Sequence, residues 1–195
     1  MDLKERGKAL EEEFFKREEA RKLALLRGNL DRGELRTALA AASGMTDQQV
    51  LDNLIDAGIT AETMTAVSLV PLVAVAWADG SIQERERDAI LHSARGKGIE
   101  EGSSAHDMLA AWLRRKPEPD LVVAWESYIE ALGSKLTGAQ LDILERQVLD
   151  RARDVATAAG GFLGVGRISG REEKILERLA AAFDRRAATI APDDK

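Results

Sequence analysis

The chain reads as an all-α protein, on three observations. Apolar residues recur at helical spacing through most of its length, no stretch alternates with period two for long enough to argue a strand, and Gly, Pro and Ser/Thr/Asp signals fall between the periodic segments. With 195 residues, 45% hydrophobic and only 4% aromatic, the composition suits a helical core of aliphatics and alanine. Residues 31–187 are expected to form one helical bundle, preceded by a charged helical arm (1–30) and followed by a flexible tail (188–195).

The arm mixes Lys4, Arg6, Lys8, Lys16, Arg17, Arg21, Lys22 and Arg27 with Asp2, Glu5, Glu11 to Glu13, Glu18 and Glu19. Its apolar stripe (Leu3, Leu10, Phe14, then Leu23, Leu25, Leu26) is too broken to bury a helix along its whole length. It is therefore expected to project, either as a solvated helix or as a helix that docks on a protein partner through Phe14 and Phe15. Gly28-Asn29 ends it.

Asp31 can cap a helix to about Ala42, which Ser43-Gly44 stops, and Thr46-Asp47-Gln48-Gln49 has the form of a capping box. After Gly58, Thr60 is expected to open one long apolar helix reaching Ala78. Its most apolar part, Met64 to Ala78, falls short of the roughly 20 residues that span a bilayer. Ser81-Ile82-Gln83-Glu84 supplies the next box, for a helix to about Gly96-Lys97-Gly98, and Ser104 begins a short helix to about Arg115. Pro117-Glu118-Pro119 is a rigid connector. Thr137-Gly138-Ala139-Gln140 and Ser169-Gly170-Arg171-Glu172 mark the last two starts.

Several functions are disfavoured by composition. The absence of Cys excludes disulfides, thiolate metal sites and a cysteine nucleophile, and two histidines leave little for a His-rich site. A net charge of −6 with no Lys/Arg block does not suit nucleic-acid coating. Nothing after Met1 resembles an export signal, so a cytoplasmic protein without direct membrane insertion is expected. Trp77, Trp112 and Trp125 read as core anchors, and His92 and His106 as surface or helix-end residues. The glycines from Gly160 to Gly166 lack the Lys-Ser/Thr ending of a phosphate loop and read as a turn.

At an offset of 86, Gly80-Ser81-Ile82 lies over Gly166-Arg167-Ile168, Arg85-Glu86 over Arg171-Glu172, and Ile90 over Leu176. A helical hairpin used twice would pack its copies about a pseudo-twofold axis. The first copy, Asp79-Gly80-Ser81-Ile82-Gln83-Glu84-Arg85-Glu86, has the form of the second half of a calcium loop. Val75 and Trp77 stand where earlier ligands would be, which excludes a full EF-hand. A weak calcium or magnesium site would use Asp79 and Glu86 with help from Glu84 and the Ser81 carbonyl. Val165 replaces the aspartate in the second copy, so the shared Gly, Ile and Glu must have a use without metal: a reversal at positive φ, a core anchor, and a first-turn carboxylate that accepts loop amides.

The segment LVPLVAVAWADGSIQERERDAIL resembles the signature of the TerB-like (tellurite-resistance B) family, well over Met64 to about Gly98 and more weakly over Gly161 to Phe183. The resemblance implies an all-helical bundle with pseudo-twofold symmetry, no known catalysis, divalent-cation binding by acidic residues, and a role in tellurite or general stress responses through partner proteins. Asp79 and Glu86 match its acidic positions, and Val165 departs from a doubled acidic site. Arg6, Lys8, Ala9, Glu11, Phe14, Glu18, Glu19 and Arg21 are similar to the start of the inhibitory zeta subunit of some bacterial ATP synthases. That similarity implies an alternative, a small regulatory subunit acting on a larger assembly through its N-terminal helix. A non-enzymatic interaction module is the expected function, because two or three carboxylates without a base or oxyanion group do not make a hydrolase.

Overall fold

The computed structural model describes residues 31–159 and 168–184, and all regular structure among them is helical. The expected arm with Phe14 and Phe15, the turn holding Val165 and Gly166, and the tail lie outside the described residues.

Residues 31–43 form α1. Gly44 stops it at φ +69°, its amide bonding the Ala40 carbonyl at 2.9 Å, a left-handed closure that other residues rarely adopt. Helix α2 spans Gln48–Asp56. Its cap lies one residue later than the expected box: the Asp47 carboxylate accepts the amides of Gln49 (2.8 Å) and Val50 (3.2 Å), so Val50 holds the position where a box needs Glu or Gln. Arg32 and Arg36 clamp α1 to α2 through Asp52 at 2.7–2.9 Å, with Arg32 also reaching Asp56. Their hydrogen bonds, Arg36's foremost, hold the Asp52 carboxyl below its ordinary value.

The long helix expected from Thr60 to Ala78 is instead two pieces. Met64–Leu69 is a 3-10 helix and Val70–Ala76 is α3. The cause is Pro71, which has no amide to give the Val67 carbonyl, and that carbonyl accepts from Val70, one residue nearer. Leaving the 3-10 segment at Pro71 also puts a proline in the first turn of α3, where its missing amide costs nothing.

Then follow α4 (Glu84–Gly96), α5 (Ser104–Arg114), α6 (Asp120–Gly133), α7 (Gly138–Ala159) and α8 (Gly170–Asp184). The connector Pro117-Glu118-Pro119 joins α5 to α6 without helix. Helix α3 is the centre of the bundle. Its Val70, Leu72, Val73, Val75 and Ala76 are buried, and α4, α6, α7 and α8 all pack on it. Helix α4 also lies on α7, and α8 on both α7 and α6. Trp125 meets Phe183 edge-on, with ring centroids 6.0 Å apart, which locks α6 to α8.

Candidate functional site

The acidic turn grows from the end of α3. The Gly80 amide closes on the Trp77 carbonyl at 3.1 Å and Gly80 takes φ +93°. A Cβ there would meet nothing within 4 Å, so glycine is required by backbone conformation and not by crowding. Ile82 packs half-buried against the core, and α4 starts after Gln83, two residues beyond the expected box start. Glu86, buried at 3% exposure, accepts the Gln83 amide at 2.7 Å. The same device opens α8. Buried Glu172 accepts the Ser169 amide at 2.6 Å, and the Ser169 hydroxyl accepts the Glu172 amide at 3.2 Å.

Burial pushes the Glu86 carboxyl above its ordinary value. The Gln83 amide opposes that rise, while Glu172 and then Asp79 add to it. The fold therefore gathers Asp79 and Glu86 and adds Glu172, whereas Glu84 stands exposed on the first turn of α4. Among the described residues no group of three or more Asp, Glu or His converges as a ligand set. Asp79 is half-exposed and has a cationic neighbour instead, the Arg171 guanidinium at 4.0 Å.

Arg171 leads to a feature that reading along the sequence missed. A groove of about 380 Å³ runs between α3, α6 and α8, floored by Val70, Val73, Trp77, Leu121, Val122 and Ile175. Lys116, Arg171, Lys174 and Arg178 rim it, with Glu118 the single acidic side chain in its lining. Three of these cations have neighbours within the fold, and Arg178 is the one held firmly. Arg178 binds buried Glu126 at 2.6 and 3.2 Å, Arg171 faces Asp79, and the Lys116 ammonium donates to the Trp77 carbonyl at 3.3 Å. Lys174 makes no ion pair among the described residues. The signal was present in α8, where Arg171, Lys174, Ile175 and Arg178 share one face at spacings of three and four. Lys116 comes from the far side of the connector, so no contiguous basic run announces the cluster.

The groove wall is fixed from behind. The Trp77 indole donates to the Trp112 carbonyl at 2.8 Å, and Arg87 donates to the Leu113 carbonyl at 3.0 Å, tying the end of α5 to α3 and α4. Trp125 and Trp112 are core residues and Trp77 is half-buried beside them. His92 is exposed, while His106, in the first turn of α5, has a buried Nδ1 without a hydrogen bond among the described residues.

Among the described residues no helix is long and apolar enough to cross a membrane. No family model, curated protein or solved structure matches the chain.

Proposed function

We propose that the chain is a non-enzymatic helical interaction module that holds an acidic, amphipathic segment of a partner protein in the groove between α3, α6 and α8. The observation that carries this is the four-cation rim around an apolar floor. A helix with one apolar face and acidic flanks buries its stripe on Val73, Trp77, Leu121 and Ile175 and pairs its carboxylates with the rim. Arg178, already held by Glu126, loses less freedom on binding than a loose cation would. Because the chain is acidic overall, a rim that carries Lys116 and Lys174 without carboxylate partners among the described residues orients an acidic partner as well as attracting it.

A TerB-like organisation fits the same geometry. Helices α3 and α4 pair with α7 and α8, α4 lies on α7 as α8 lies on α3, and Glu86 and Glu172 occupy equivalent first-turn positions at the offset of 86. This supports two copies of one hairpin related by a pseudo-twofold axis; the tellurite or stress-response role is carried by the sequence resemblance alone. A weak calcium or magnesium site belongs to this reading through Asp79, with Glu84 and the Ser81 carbonyl as outer partners and Glu86 largely committed to the Gln83 amide. A cation there competes with Arg171 for Asp79 and so releases a guanidinium to the groove.

Fluorescence anisotropy with a labelled amphipathic Glu/Leu helix peptide and its Lys/Leu counterpart tests the proposal. Saturable binding of the acidic peptide alone is expected, weakened about tenfold in Lys174→Glu, whose reversal breaks no ion pair of the fold. Equal binding of both peptides, or an unaltered affinity in Lys174→Glu, would overturn it.

A further inference from the structure

A second cleft, of about 530 Å³, opens on a different face between the 3-10 segment, α6 and α7. One wall is the α6 stripe Trp125, Tyr128, Ile129 and Leu132, at helical spacings of three, four and seven. The other is the α7 stripe Leu144, Gln147, Val148 and Arg151, with the same spacings. Met64, Val67 and Leu72 close the bottom, and Lys97, the residue capping the C-terminus of α4, reaches the cleft from the side. Its size lies within the range of about 300–1,000 Å³ usual for small-molecule sites, and its walls are apolar with few polar groups.

The charged groups are of one sign. Lys97 and Arg151 line the same cleft, and desolvation first and the Arg151 charge second hold the Lys97 ammonium below its ordinary value. Neither makes an ion pair among the described residues. Two cations at the mouth of an apolar cleft whose lining has no carboxylate suit an anionic head group attached to an apolar chain. Tyr128, lining the same cleft, has its phenol pushed up by burial and so stays a neutral hydrogen-bond donor at physiological pH.

We infer that this cleft binds a single-chain fatty carboxylate, its alkyl chain between the α6 and α7 stripes and its head group on Lys97 and Arg151. A peptide helix fits this place less well than the groove across the bundle, because the charge is concentrated at one pair and not spread along a rim. The site is independent of the partner groove, sharing no lining residue with it.

The test is calorimetry and tryptophan fluorescence on the full chain with dodecanoate below its micelle concentration. Dodecanol and dodecyltrimethylammonium serve as neutral and cationic controls. Dodecanoate is expected to bind saturably at one site, with dodecanol about tenfold weaker and the cationic amphiphile weaker still. Arg151→Gln and Lys97→Gln, which change exposed residues and break no ion pair among the described residues, should each weaken dodecanoate about tenfold and leave dodecanol unchanged. Equal affinity for dodecanoate and dodecanol, variants that bind dodecanoate as the parent does, or no saturable binding would overturn the assignment.

Discussion

The starts of α4 and α8 are built alike and surrounded differently. In both, a buried glutamate in the first turn accepts the amide of the residue before the helix, Glu86 from Gln83 and Glu172 from Ser169. Only the α4 start follows an aspartate and glycine turn, and its Asp79 does not turn inward to complete a ligand set but faces Arg171, a residue of the other start. The shared part is a helix fastener. The unshared part, Asp79, couples the fastener to the basic rim of the groove. A motif that looks like half a metal loop thus includes a carboxylate that fastens its helix start, as the one before α8 does without the aspartate.

The largest effect on this comparison should come from removing the two acceptors. Glu172→Ala and Glu86→Ala each strand a backbone amide and should cost about 1–3 kcal/mol in chemical denaturation. Glu86→Ala should cost the less of the two, because it also removes a desolvated carboxylate that Asp79 and Glu172 both repel. A larger loss at Glu86 would mean that its carboxylate has a further, unshared partner. Gly80→Ala comes next. Its strain is confined to a positive φ with open space beyond, so a destabilisation of about 1 kcal/mol is expected, and an unchanged midpoint would show that the turn relaxes freely.

A smaller effect distinguishes the starts by pH. The Glu86 carboxyl is raised in the folded chain, so the folded state binds the proton first and stability rises as pH falls through that raised value towards the unfolded value near 4.5. Glu86→Gln keeps an acceptor for the Gln83 amide and should flatten this limb of the stability profile. Asp52 acts in the opposite sense. Its pKa is held below 3.8, so the stability from its arginine pairs is fully present above that unfolded value and is lost as pH falls through the lowered one. The smallest effect is at Asp79. Asp79→Asn should barely change chelated stability, since its contact with Arg171 is long and half-exposed. Calcium or magnesium at constant ionic strength should raise the parent's melting temperature but not the variant's. Superimposable titrations would remove the cation from the account.

Helix positions were largely legible because glycine, proline and capping residues act locally. Gly44, Gly58, Gly80 and Gly98 all take the positive φ that their places between helices imply, and Thr137-Gln140 and Ser169-Glu172 form the boxes their spacing suggests. The error before α3 came from ranking apolar periodicity above Pro71, whose missing amide changed the hydrogen-bond ladder over the preceding turn. The groove was illegible for a different reason. Lys116 and the α8 cations are brought together only by the packing of α3 between α6 and α8, which no local pattern encodes. In the acidic turn, sequence supplied Asp79 and Glu86 but not Glu172 as an electrostatic neighbour, nor Arg171 as the competitor for Asp79.

The central claim, an acidic partner segment seated between α3, α6 and α8, is tested most directly by mapping amide chemical shifts of the isotope-labelled full chain during titration with the acidic Glu/Leu peptide. Perturbations are expected at Val73, Trp77, Leu121, Val122, Lys174 and Ile175, together with the Trp77 indole, and should shrink as salt screens the rim. Perturbations centred on Lys97, Arg151 and the α6–α7 cleft, or none on α8, would contradict the account.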